Sequence, residues 1–309
     1  MLASLCRLLG GILLFSAGIA FLRKGLKRKT GARVEAALRK LTPQPAFAVA
    51  VGALVTCAMQ SSSAVTVIIV GLVDSGVIDV YQAFYIIIGA NLGTCLTAYI
   101  VAFRTRILGP LALVISASMY LMKERFGRDP AVVFFGLGCI LEGVEVTCSA
   151  LAWLAEIPDI LNALVVFGQV PFFGVLAGAV FTGIIQSSSV TTAILVGLVR
   201  EGLVNLRAAV SLALGSNIGT CATTLIAGLT ASPAGRVTAM LHLVFNLAGV
   251  IAVLPVFSAF VKIVEIVSPA DPGYRLANAH TLFNLMSILV IFPWCRQFVD
   301  LVKGRHTWI

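Results

Sequence analysis

Apolar residues in this chain run in long blocks, and the informative positions are the polar ones inside them. Residues 2–22, 80–102, 107–122, 131–152, 206–228, 237–260 and 276–294 each read as a helical membrane span, given the roughly 20 apolar residues a helix needs to cross hydrocarbon. Two further blocks, 46–73 and 172–199, are interrupted near their middles by Gln60-Ser61-Ser62-Ser63 and Gln186-Ser187-Ser188-Ser189. Each arm beside these breaks is too short to span. Both blocks therefore predict a re-entrant hairpin with the polar residues at its tip. Lipid cannot satisfy the backbone freed at such a tip, so protein or water must face it.

The two hairpins are copies. Gly52–Ile100 aligns with Gly178–Ile226 without a gap, and 22 of the 49 positions are identical. The identities include Thr66/Thr192, Asn91/Asn217, Thr94/Thr220, Cys95/Cys221 and Thr97/Thr223. A period this long is too large for a solenoid and indicates a duplicated half-protein, with halves at 1–128 and 129–309. In both copies a span follows the hairpin and carries a Gly-x-Asn-x-Gly-Thr segment, Gly89–Thr94 and Gly215–Thr220. Two glycines around an asparagine predict local unwinding there. The last span, 276–294, has no counterpart in the first half.

Composition fixes the class. Of the 309 residues 59% are hydrophobic and 11% charged, and the mean hydropathy is +1.03; a soluble domain carries about 25% charged residues. The pattern is that of an all-α polytopic membrane protein. The net charge of +9 belongs to membrane topology, not to nucleic-acid binding. Residues 23–40 hold eight Lys or Arg, with Val34, Ala37, Leu38 and Leu41 at helical spacing. They predict a basic amphipathic helix on the membrane surface, ended by Pro43 and Pro45. The equivalent second loop, 153–170, holds none, only Glu156 and Asp159. Since Lys and Arg gather on the cytoplasmic side, the two loops lie on opposite faces. Threading the chain this way places 15 basic residues and the C-terminus inside and seven basic residues outside. The halves are then inverted repeats, the design that places binding at the membrane midplane between broken helices. The basic cluster follows the first apolar run, which argues for a retained helix at 2–22 and against a signal peptide. The seven Cys show no CxxC or CxxH spacing and read as small buried hydrophobes.

The hairpin tips define the chemistry. The second arm of each begins at the serine triplet, so free N–H groups and the positive dipole end point at the break. With the hydroxyls of Ser61, Ser62 and Ser63, or of Ser187, Ser188 and Ser189, this favours an oxyanion. The first arm ends at Gln60 or Gln186 with free carbonyls, a setting for a hard cation such as Na+. Asn91, Thr94, Thr97, Asn217, Thr220 and Thr223 can add oxygens. The bland alternative, serine and glutamine as glue between helices, fits one such tip better than two matched ones.

QSSSAVT with GANLGT, then QSSSVTT with GSNIGT, resemble the doubled signature of the type II sodium–phosphate cotransporters. His242-Leu-Val-Phe-Asn246 and His280-Thr-Leu-Phe-Asn284 resemble that family's His-x-x-Phe-Asn segments. The resemblance implies Na+-dependent phosphate uptake across the cytoplasmic membrane, with no cofactor beyond the coupling sodium. It implies phosphate at Ser61–Ser63 and Ser187–Ser189, and sodium at Gln60, Thr66, Asn91, Thr94, Gln186, Thr192, Asn217 and Thr220. The partners are inorganic phosphate, sodium ions and the lipid bilayer; the pattern sets no oligomeric state. The PhoU-like domain of many bacterial relatives and the glycosylated loop of animal ones are missing, as in a minimal bacterial member.

Other residues are weighed beside these. Glu142 and Glu145 are intramembrane carboxylates, candidates for cation or proton coupling. His242 and His280 read as structural before they read as titrating. Arg104 and Arg106 end a span, and could draw anions to an outer vestibule. Rival readings are another oxyanion, export, a phosphate sensor without flux, and an intramembrane serine hydrolase. The last lacks a GxSxG elbow.

Overall fold

The computed structural model describes residues 2–40, 44–103, 107–122, 128–151, 162, 166–167 and 169–305, which are nearly all helical and contain no strand. The first half comprises α1 (Leu2–Lys40), α2 (Pro45–Met59), α3 (Ser62–Asp74), α4 (Val80–Ala102) and α5 (Leu108–Leu121). The second comprises α6 (Asp129–Leu151), α7 (Pro171–Ile185), α8 (Ser188–Arg200), α9 (Leu206–Gly219), α10 (Cys221–Leu229), α11 (Pro233–Val253), α12 (Phe257–Val267), α13 (Pro272–Ile291) and α14 (Cys295–Arg305). Among the described residues six helical segments are long and apolar enough to cross a membrane: Ala3–Leu22, Val80–Ala102, Asp129–Thr147, Leu206–Leu229, Pro233–Val267 and Pro272–Gly304.

The interrupted blocks fold as helix–turn–helix units, α2–α3 and α7–α8. Their arms of 15 and 13 residues are about 22 and 20 Å long at 1.5 Å per residue, short of a core of about 30 Å. Proline opens each first arm, Pro45 and Pro171, where its missing N–H costs nothing.

Several expectations change. Residues 23–40 are not a separate surface helix: α1 runs unbroken to Lys40. Gly25 does not interrupt it because it packs against Val133 and Asp129 of α6. Pro45 opens α2 and does not close α1. The block at 107–122 yields a helix of 14 residues, too short to span alone. The predicted unwinding at Gly89–Thr94 does not occur, and α4 is continuous. Its counterpart does break, at Thr220 between α9 and α10. The loop at 153–170, with Glu156 and Asp159, lies largely outside the described residues, as do Arg104 and Arg106.

The glycines near Asn91 and Asn217 serve packing. A Cβ on Gly89 or Gly93 of α4 would collide with the Val49 or Ala53 carbonyl of α2, and one on Gly52 with the Ile86 carbonyl. In the second copy Gly215 and Gly219 meet the Val175 and Ala179 carbonyls, and Gly178 meets that of Leu212. Small residues let two backbones touch, which is how helices associate in lipid. Gly11 and Gly18 of α1 likewise face Gly143 and Gly136 of α6, which makes a second contact stripe.

The last two spans resemble each other. α11 and α13 each open with a proline, bend through a short 3-10 turn holding Pro255 or Pro293, and continue into 11-residue helices. The proline removes a backbone donor, which accounts for the bend.

Candidate functional site

Each turn is built the same way. Gln60 (φ 51°) and Gln186 (φ 56°) are left-handed and cap the first arm, their N–H groups bonding the Thr56 and Thr182 carbonyls. Among the described residues they are the only non-glycines at positive φ. Glycine holds this conformation freely, whereas other residues pay about 1–2 kcal/mol; a strained non-glycine at both tips points to work for the side chain. Ser61 and Ser187 are then extended and cap the second arm, accepting from Ala64 N at 3.2 Å and Val190 N at 3.3 Å. A capping hydroxyl accepts with its oxygen, and its own proton remains available to a ligand.

The two tips meet. Gln60, Ser61, Ser62 and Ser63 line the same cavity of about 600 Å³ as Gln186, Ser187, Ser188 and Ser189. Thr94 and Thr223 complete its polar side, and Leu9, Ile12, Ile19 and Ala20 of α1, with Ser16 among them, form a mostly apolar wall. Two helix N-termini thus address one chamber, and no ionisable side chain appears among its lining residues. Neutral donors and aligned dipoles suit an anion there, while the ends of α2 and α7 bring carbonyl oxygens beside it.

Other candidates stand outside the cavity. Thr66 Oγ1 donates to the Ser62 carbonyl at 2.8 Å, Thr192 is buried within α8, and Thr220 Oγ1 donates to the Ser216 carbonyl at 2.8 Å. Asn217 donates to the Ala213 carbonyl at 3.0 Å. Asn91 donates to Asn246 Oδ1 at 3.0 Å and meets His242 Nε2 at 3.2 Å. Glu142 and Glu145 are half-buried on α6, with Glu142 against Gly109 of α5. His242 is fully buried between Asn91 and Thr224, 3.1 Å from the latter. His280 meets Thr94 at 3.3 Å. Among the described residues neither ring bonds a tip serine, so no serine–histidine pair is assembled.

The profile of the Na+/Pi-cotransporter family matches residues 14–149 and 154–270. The chain belongs to that family. The Na+/Pi cotransporters are membrane transporters and not enzymes, so the hydrolase reading falls, and the chain is a multi-pass membrane protein. An uncharacterized protein of Bacillus subtilis, YqeW, is 35% identical over 86% of this chain and 87% of its own length. YjbB of Escherichia coli, whose name assigns it provisionally to inorganic phosphate export, is 28% identical over 82% of this chain and 47% of its own length. The human sodium-dependent phosphate transport protein 2C is 49% identical over 85 residues, 26% of this chain and 14% of its own. The chain thus spans about half of YjbB and a small part of the human protein. No solved structure matches it.

In this member of the family, pattern reading did not single out two contributions. The α1 wall carries one polar residue, Ser16, which the pattern reading passed over, and its apolar residues look no different from ones that face lipid. Thr97, treated only as a spare oxygen, donates to Gln60 Oε1 at 2.9 Å; its identity with Thr223 was the available signal.

Proposed function

We propose that this protein is a secondary transporter that couples inorganic phosphate to sodium across the cytoplasmic membrane. The observation that carries the reading is the single cavity shared by the two Gln-Ser-Ser-Ser turns. Phosphate sits between the N-termini of α3 and α8, taking hydrogen bonds from the tip serine hydroxyls and first-turn N–H groups. Sodium ions sit toward Gln60, Gln186 and the carbonyl ends of α2 and α7, and supply the positive charge the wall lacks. The two copies enter from opposite faces as re-entrant inverted repeats, with the C-terminus cytoplasmic, in keeping with the basic residues on α1.

The test is radiolabelled phosphate uptake into proteoliposomes under an inward Na+ gradient, against an equal K+ gradient. Uptake with Na+ alone, lost in Gln60→Ala and in Gln186→Ala, is the expected result. No uptake under either gradient from folded protein overturns the phosphate–sodium reading. A second reading, phosphate export, is favoured by the name of YjbB. Efflux from phosphate-loaded vesicles, faster than uptake under the mirrored gradient, would support it.

A further inference from the structure

Gln60 and Gln186 are copy-related, and so are Thr97 and Thr223. The two pairs are bonded differently. In the first copy Thr97 Oγ1 donates to Gln60 Oε1 at 2.9 Å, Gln60 Nε2 donates to the Cys57 carbonyl at 2.5 Å, and Gln60 is buried. In the second copy Gln186 is exposed, and among the described residues its side chain makes no hydrogen bond. Thr223 Oγ1 is buried without a partner. An orphaned buried hydroxyl is costly, so this arrangement invites an alternative in which the bond is made.

A second set of identical residues shows the same contrast. Asn91 Nδ2 donates to Asn246 Oδ1 at 3.0 Å. The copy-related Asn217 instead donates to the Ala213 carbonyl of its own helix, and Asn284 Oδ1 is buried without a partner. Asn246 and Asn284 correspond through their His-x-x-Phe-Asn segments. They also reach copy-related thiols, Cys221 at 3.4 Å and Cys95 at 3.8 Å. Other differences are fixed by sequence and cannot reverse: Thr182 bonds Thr191 at 2.9 Å, whereas position 65 is valine, and His242 bonds Thr224 where position 98 is alanine. The Gln/Thr and Asn/Asn sets hold the same residues in both copies, so they can exchange states.

We infer that Thr97 and Thr223 are positioning residues, each holding the tip glutamine of its own copy, and that the two latches close in alternation. Here the first is closed and the second open; the opposite-facing conformation closes the second and opens the first. The inference rests on the transport reading, since alternation between repeats moves access from one face to the other.

The test is hydrogen–deuterium exchange of the full chain in detergent, free of sodium and phosphate, read at tip residues 57–64 and 183–190. Thr97→Val is expected to speed exchange at the first tip and slow it at the second, each between about 2-fold and about 10-fold, the range set by one neutral hydrogen bond. Thr223→Val, which removes no bond made in this conformation, is expected to slow exchange at the first tip, and Thr97→Ser to match the parent. The inference is overturned if Thr97→Val loosens its own tip and leaves the second unchanged, or if Thr223→Val leaves the first unchanged. If Thr97→Val does not fold, Thr223→Val decides alone. No cargo is present, so a carrier of a different anion would still give the reciprocal pattern, and a phosphate carrier without alternating latches would not.

Discussion

Replacing Gly178 by alanine tests whether backbone contact between α7 and α9 holds the second copy together. Two terms compete. Alanine in a helix interior is favoured over glycine by about 1 kcal/mol. Against that, the new methyl meets the Leu212 carbonyl of α9 inside contact distance. Overpacking costs about 1–3 kcal/mol, and the upper end applies because a helix backbone cannot swing aside as a side chain does. Gly183 lies on the same helix, and a Cβ there would find its nearest neighbour, the Gly219 carbonyl, 3.9 Å away. Gly183→Ala takes the propensity gain without the collision, so the difference between the two variants isolates packing at about 3 kcal/mol. At about 2–4 °C per kcal/mol, the apparent unfolding midpoint of Gly178→Ala should fall about 6–12 °C below that of Gly183→Ala. The chain carries its own reporters: Cys95, Cys139, Cys221 and Cys295 are buried free thiols, so a fluorogenic thiol dye reads unfolding during a thermal ramp. Equal midpoints for the two variants would refute the reasoning.

Further outcomes follow from the same geometry. Ser61→Ala and Ser187→Ala should each cost about 1 kcal/mol through the lost cap, whereas Ser61→Asn and Ser187→Asn keep a capping acceptor and should recover the midpoint in the same thermal assay. Arg200 at the end of α8 is 4% exposed and pairs at 3.0 Å with Asp271, which is 37% exposed; it also donates to the Ala102 carbonyl at 2.5 Å. Asp271→Asn keeps the cap on α13 yet strands a buried guanidinium, at a cost near the low end of about 3–5 kcal/mol because the pair is partly wet. Arg200→Met leaves behind a hydrated carboxylate and should cost less; the reverse order of midpoints would contradict the burial argument. Gln186→Gly should relieve the left-handed backbone and leave stability equal or higher, whereas Gln60→Gly also loses the Thr97 and Cys57 bonds and should unfold at a lower temperature than Gln186→Gly; phosphate flux falls in both.

The turns were legible because glutamine and serine are conspicuous inside valine and isoleucine, and because the second copy repeats them. The glycines were visible but ambiguous. Gly89 and Gly93 flanking Asn91 fit unwinding and close packing equally as a string of letters, and only α2, brought alongside from earlier in the chain, selects packing for α4. The break that did form, at Thr220, shares its Gly-x-Asn-x-Gly-Thr-Cys frame with the unbroken Thr94 but has Ser216, Ile218 and Ala222 where the first copy has Ala90, Leu92 and Leu96, so the frame alone does not decide unwinding. The fate of 23–40 was hidden similarly. Its charges suit a surface helix, but Gly25 has a seat against α6, and continuing the helix costs less than starting another. The α1 wall and the Thr97–Gln60 bond join residues far apart in the sequence, and nothing periodic marks them.

The cavity's want of ionisable lining residues bears on leak. An anion entering alone would meet dipoles and hydroxyls but no countercharge, and carrying bare charge through a low-dielectric septum costs several kcal/mol even after relaxation. A cation entering alone meets the mirror of that penalty. On the proposed sodium–phosphate reading only the neutralised cluster escapes both penalties, so a half-loaded carrier would stall where it is, and the poverty of the wall would itself enforce joint loading.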